Sequence, residues 1–192
     1  MEPIDISPLT RLPTTTIRSY RDEDFESAYR IIREIGTDRL GRDLRSWDKS
    51  FMELSSFMWV AIVDEAVVGF AGMSIPSDDF IYLHTDLVSP RFQGRGLGTL
   101  LTLTRFAALA DDPIQSIGVL ATEHSTSFYK RFGFEIEGEP QLDPFAGYHI
   151  HRMSREFTPV VGRSAESLLD ELERVMFDIS VSDDPFSKEL EE

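Results

Sequence analysis

Three glycines alternate with larger residues in "FQGRGLG", which runs from Phe92 to Gly98. Glycine lets backbone N–H groups converge on an anion with no Cβ in the way. The run lies between a strand-like stretch, "FIYLHTDLVSP", and a helix-like one, "TLLTLTRFAALADD". The first amides of a helix lack intrahelical partners and carry the positive end of its dipole. Gly94, Gly96 and Gly98 therefore describe an anion site of the kind a phosphate fills. Spacing excludes two nucleotide loops. A Walker A loop needs Gly-Lys-Ser/Thr, and no lysine occurs here. The dinucleotide fingerprint wants its second and third glycines three apart in a first βα unit, whereas these are two apart and follow several strands.

Titratable side chains lie on either side of the loop. Strand alternation puts Tyr82, His84 and Asp86 on one face, continued by Val88. His84 can accept a proton directly or through a water, or simply bond a neighbour, and Asp86 can equally well fix a loop. His149 and His151 share a face of the last strand. Their spacing suits a metal, but no third ligand is evident, so no metal is expected and surface exposure or cleft lining is. The chain has no cysteine. That excludes disulfides, a thiol nucleophile and cysteine-ligated zinc, and it suits a cytoplasmic protein.

The elements that must position these groups follow from periodicity. "TTIRSYR" reads as a strand. "DEDFESAYRIIREIG" reads as a helix, with Phe25, Ala28, Tyr29, Ile32 and Ile35 on one face and a weaker helical piece from Leu40 to Leu54 after it. "FMWVAIVD" and "AVVGFAGMSI" form a hairpin about Asp64 and Glu65, and "DDFIYLHTDLV" is a third strand. A helix from Gly98 to Ala110, a strand "IQSIGVLAT", a short helix "HSTSFYKRFG" and the strands "FEIEGE" and "YHIHRMSREF" complete a mixed α/β sheet. Residues 1–14 read as a tail and 15–158 as the domain. Residues 159–192 read as an acidic extension whose "SAESLLDELERVMFDIS" is an amphipathic helix, with Leu168, Leu172, Val175, Met176 and Ile179 on one face. That helix can dock on its own domain, pair across a homodimer or sit over an active site.

The chain of 192 residues carries a net charge of -15, and ten Asp/Glu against three Lys/Arg lie between Val161 and Glu192. Such a charge makes nucleic acid an unfavourable partner and a cationic amine a favourable one, besides serving solubility. No stretch approaches the roughly 20 apolar residues of a membrane helix, and the N-terminus lacks a secretory pattern.

"QGRGLG" also reads Gln-x-x-Gly-x-Gly, on Gln93, Gly96 and Gly98. With the strand before it and the leucine-rich helix after it, "DLVSPRFQGRGLGTLL" resembles the acyl-CoA pyrophosphate loop of the GNAT superfamily of N-acetyltransferases. "STSFYKRFGFE" resembles that family's following motif, with Phe128, Tyr129, Gly133 and Phe134 in place. The resemblance covers about Thr15 to Phe157. It implies an α/β (α+β) fold: a mixed, mostly antiparallel sheet of about seven strands flanked by about four helices, here with a C-terminal helical extension. It implies direct transfer of an acetyl group from acetyl-CoA to a primary amine. Gly94, Arg95, Gly96, Leu97, Gly98 and Thr99 would bind the pyrophosphate through backbone amides. Leu87 and Val88 would pair with the pantetheine arm, and Val88 would polarise the acetyl carbonyl. Tyr129 would be the general acid. The family's Asn position holds Glu123, so Ser125 is the substitute cofactor contact. The position of a catalytic glutamate in some members holds Tyr82, which leaves His84 as the candidate base. A GNAT-fold module that binds acyl-CoA without turnover is the alternative.

Overall fold

The computed structural model describes residues 6–36, 57–142, 148–172 and 175–178. The helical piece expected at Leu40–Leu54 lies outside them. The described strands are β1 (Thr15–Ser19), β2 (Phe57–Val63), β3 (Ala66–Ser77), β4 (Phe80–Val88), β5 (Ser116–Thr122), β6 (Glu135–Ile136), β7 (Gln141–Leu142), β8 (His149–Glu156) and β9 (Val175–Asp178). They form one sheet in the order β6-β8-β5-β4-β3-β2-β1-β9, with β7 also on β8. Only β4–β5 and β1–β9 pair in parallel, so the sheet is mixed and mostly antiparallel, as expected, with β7 and β9 beyond the seven foreseen. The β2–β3 hairpin turns on Asp64 and Glu65, both at positive φ, the conformation that matches the twist of a two-residue hairpin.

Four helices among the described residues flank the sheet: α1 (Phe25–Ile35), α2 (Leu97–Ala108), α3 (Glu123–Lys130) and α4 (Pro159–Asp170). Ala28, Ile31 and Ile32 of α1 recur at helical spacing and bury against Val60, Val67 and Phe70 on one face of the sheet. The other face carries the larger core. There Leu100, Leu103 and Phe106 of α2 pack with Ile81, Leu83, Ile117 and Val119 of β4 and β5.

Both chain ends depart from expectation. In the segment read as a tail, Ser7–Arg11 form a 3-10 turn. Leu9 and Leu12, one such turn apart, are buried in the larger core. In the extension, α4 begins at Pro159 and ends at Asp170, buries Val161, Ala165 and Leu169, and packs on α2. The expected helix face does not run on through Val175 and Met176, and Ile179 lies outside the described residues. Val175–Asp178 instead pair with β1, Thr15 opposite Val175. The run Val-Met-Phe suits a strand better than a helix end, and the β1 edge offers it backbone partners.

Candidate active site

Two irregularities in β4 open the site. Pairing between β4 and β5 ends at Leu83 and Val119, although both strands run on, so the sheet parts beyond that point. On the other side, Phe70 pairs with Leu87 while Gly72 pairs with His84, so Thr85 and Asp86 oppose one residue of β3. Thr85 takes a positive φ of 56° in this bulge. The extra residue breaks the alternation. Tyr82 and His84 point away from the larger core, whereas Asp86 meets side chains of α2 and α3 and Val88 packs against that core. The expectation that Tyr82, His84, Asp86 and Val88 share a face is therefore corrected, and the bulge is the cause.

A cavity of about 710 Å³ occupies the opening, a volume in the range of small-molecule sites. Its glycine end is made by the loop. Gly94 and Gly96 have φ of 73° and 88°, values that only glycine adopts without strain, and Gly96 caps the start of α2. The Gln93 amide donates to the Val88 carbonyl at 2.9 Å, tying the loop to the strand end. Gly96, Leu97, Gly98 and Thr99 line the cavity with the amide end of α2, and Leu87 and Val88 line it from the strand. Ser125 and Phe128 close it from α3, the Ser125 hydroxyl donating to the Thr122 carbonyl.

Two of the expected site residues do not line the cavity. The Arg95 guanidinium lies over the Phe92 ring, 5.2 Å from its centroid, and Arg95 does not line the cavity. His84 does not line it either; its Nδ1 meets the Thr85 hydroxyl at 2.9 Å. Burial pushes the His84 pKa down to about 4, with Asp86 opposing and Arg105 adding to the shift. The imidazole is thus neutral near pH 7 but a weak proton acceptor.

Residues that the sequence pattern did not single out complete the walls. Pro8 and Arg11 of the N-terminal turn border the loop, and Arg131 stacks over Phe128. Two arginines and Asp86 are the charged lining among the described residues, a locally positive wall in an acidic chain.

The tyrosine end is a buried constellation. The Tyr129 hydroxyl donates to Asp86 Oδ2 at 2.5 Å. Asp86 Oδ1 pairs with Nη2 of Arg105, whose side chain is completely buried. The remaining Arg105 donors are engaged: Nε with Leu101 O at 3.2 Å, Nη1 with Gly72 O at 3.1 Å, and Nη2 also with Thr102 Oγ1 at 3.2 Å. Burial, then the Asp86 charge, raises the Tyr129 pKa well above the ordinary phenol value. Phe128 and Phe134 stand edge-on to the Tyr129 ring at 5.1 and 5.6 Å and fix it. No local pattern marked Arg105, which reads as one charged residue in an apolar helix.

Neither His149 nor His151 lines the cavity; His149 is exposed, as expected, whereas His151 is buried. His151 Nε2 meets Glu123 Oε2 at 2.6 Å, pinning the first turn of α3 to β8. No group of three or more metal-ligating side chains occurs among the described residues, and no helix there is long and apolar enough to cross a membrane.

A family model for the acetyltransferase (GNAT) domain matches residues 18–157. No curated protein sequence matches the chain. Among solved structures it is similar to Ard1 from Thermoplasma volcanium, at 23% identity and a TM-score of 0.61 over 76% of this chain and 99% of that one. It is similar to the PaiA N-acetyltransferase of Thermoplasma acidophilum in complex with coenzyme A, at 19% identity and a TM-score of 0.60 over 75% of this chain and 99% of that one. The N-acetylglutamate synthase of Neisseria gonorrhoeae, complexed with coenzyme A and N-acetyl-glutamate, aligns at 18% identity and a TM-score of 0.59, over 75% of this chain and 35% of that one. Such identities show a shared fold. The family match spans well over half of the sequence, and the chain belongs to the GNAT acetyltransferase family.

Proposed function

We propose that the protein is an N-acetyltransferase that moves an acetyl group from acetyl-CoA directly to a primary amine. One observation carries this reading: a single cavity joins the helix-capping glycine loop to Tyr129 along the parted edge of β4. Relatives with this fold hold coenzyme A. The residues fit such a ligand. Amides of Gly94 to Thr99 would take the pyrophosphate, with Arg11 and Arg131 adding positive charge. Past Leu83, β4 lacks its β5 neighbour, so Leu87 and Val88 can receive the pantetheine arm as an added strand. A Val88 amide would stabilise charge on the acetyl oxygen as the amine adds. Tyr129 would supply the proton that the departing thiolate needs. The net charge of -15 favours a small cationic amine as acceptor.

A second reading, an acyl-CoA-binding module without turnover, draws on Tyr82 standing where some members carry a catalytic glutamate. Two measurements separate the readings. Acetyl-CoA at a hundredfold excess over its Kd should stabilise the folded protein by about 2.7 kcal/mol, read as a rise in melting temperature. Release of CoA thiol should follow with at least one amine of a panel running from polyamines to amino acids. A melting shift without release from any amine favours the module; no shift with any acyl-CoA removes both.

A further inference from the structure

We propose that Asp86, held by the buried Arg105, is the proton acceptor of the reaction and returns that proton through Tyr129 to the leaving thiolate. The proposal rests on the transferase reading above. It starts from a difficulty in the geometry. Tyr129 has one hydroxyl proton, and that proton is already donated to Asp86 Oδ2 at 2.5 Å. Pointed there, it cannot serve a thiolate. The chemistry also lacks an acceptor for the proton that the attacking amine must lose, because Tyr82 replaces a carboxylate and His84 lies outside the cavity lining.

One group resolves both. Asp86 lines the cavity, and its side chain is 18% exposed. Arg105 holds it aimed, since the guanidinium is buried and every nitrogen of it is bonded to Asp86, a carbonyl or a hydroxyl. The amine nitrogen bonds to the acetyl carbon and passes its proton to Asp86. The carboxyl then donates to the Tyr129 oxygen, reversing the existing hydrogen bond. The tyrosine's own proton is released to turn towards the sulfur. As the carbon–sulfur bond breaks, the thiolate takes that proton, and Tyr129 takes the one held by Asp86. The amine's proton has in effect moved to the thiol, and Asp86 is again a carboxylate. Asp86 and Tyr129 are catalytic residues in this scheme, and Arg105 is a positioning residue.

The test uses the full chain with acetyl-CoA, the fastest amine of the panel, and hydroxylamine, a small nucleophile uncharged at neutral pH that needs no fitted acceptor pocket. Asp86→Asn should lower kcat by about 100-fold or more, leaving the KM for acetyl-CoA within about twofold. Tyr129→Phe, which leaves the Asp86–Arg105 pair in place and keeps the fold, should fall by a similar factor. The double variant should be no slower than the slower single one, because both act in one relay. Rates in H2O–D2O mixtures should curve with deuterium content in the wild type, with two protons in flight, and be linear in Tyr129→Phe. Should Asp86→Asn unfold by stranding Arg105, the Asp86→Asn/Arg105→Gln variant removes both charges together and carries the same test. An Asp86→Asn enzyme with more than about half the wild-type kcat, or single effects that multiply, overturns the relay and leaves the transferase reading standing. A wild type that releases thiol no faster than the uncatalysed reaction, with hydroxylamine and with every amine, overturns both.

Discussion

The cavity is built by two different methods. At the glycine end the lining comes from one short stretch, Gln93, Gly94 and Gly96 to Thr99, most of whose residues carry no polar side chain. At the tyrosine end the polar groups are side chains delivered by β4, α2 and α3, with Asp86 and Tyr129 separated by 43 positions in sequence. The first design is local: glycine conformation and a helix start suffice to make it. The second is tertiary and depends on a bulge, a buried cation and aromatic packing holding together. Damage to the tyrosine end should therefore appear as lost stability as well as lost turnover, and damage to the glycine end chiefly as lost ligand affinity.

The strongest way to break that contrast is Arg105→Met. It strands a partly buried Asp86 with no counter-ion, and removing one partner of such a pair costs about 3–5 kcal/mol. Urea denaturation should show the midpoint falling by that equivalent, with much of the loss recovered when Asp86→Asn is added. A variant as stable as the wild type would mean that the tyrosine end is no more interdependent than the loop.

Next comes acid sensitivity, which arises outside the cavity, on the opposite face of β4, through the desolvation of His84. Its folded pKa of about 4 lies below the ordinary value near 6.5. Between these values the unfolded chain binds a proton that the folded chain refuses. Stability therefore falls as pH drops through the window and is flat with respect to this group above it, a loss of about 2–3 kcal/mol by pH 4. His84→Gln should remove that part of the slope in denaturation curves taken from pH 7 to 4. Equal slopes would place the acid sensitivity elsewhere.

These two ends were unequally legible in the amino-acid sequence, for the same physical reason that they differ in construction. The anion loop is a spacing of glycines at a strand–helix junction, so local rules expose it. The strand order followed from period, and the hairpin from its two-residue acidic turn. The bulge at Thr85 was not legible, because nothing in "LHTDLV" departs from an alternating strand, and it alone carries Asp86 to the face where Arg105 and Tyr129 meet it. Arg105 was illegible because its value lies in partners from other elements. At the chain ends, Leu9 and Leu12 looked too sparse to be core, and the run after Leu172 kept a helical apolar period although the β1 edge recruits it as a strand.

Gly96→Ala should have a smaller effect. The residue sits at a φ of 88°, and an added Cβ would lie 2.6 Å from the Pro8 carbonyl oxygen. Left-handed backbone costs a residue with a side chain about 1–2 kcal/mol. The contact adds pressure to shift the N-terminal turn. The expected outcome is a modest fall in melting temperature and a larger fractional loss of the stabilisation that acetyl-CoA gives. If the two losses track each other, the glycine end is as much a structural joint as a ligand cradle.

The smallest effect sharpens the contrast most finely, because it asks how far the glycine end relies on side chains at all. Arg11 and Arg95 are both near the loop, yet Arg11 lines the cavity and Arg95 lies over Phe92. Arg11 is exposed, so its attraction for a phosphate is screened by water. Arg11→Ala should weaken acetyl-CoA binding by about two- to fivefold in calorimetry at low salt. The difference should shrink as ionic strength brings the Debye length towards about 3 Å at 1 M. Arg95→Ala should change affinity less at every salt concentration. Equal losses in the two variants would mean that the loop senses the general positive field around it; a loss confined to Arg11→Ala would make the N-terminal turn a specific wall of the ligand site.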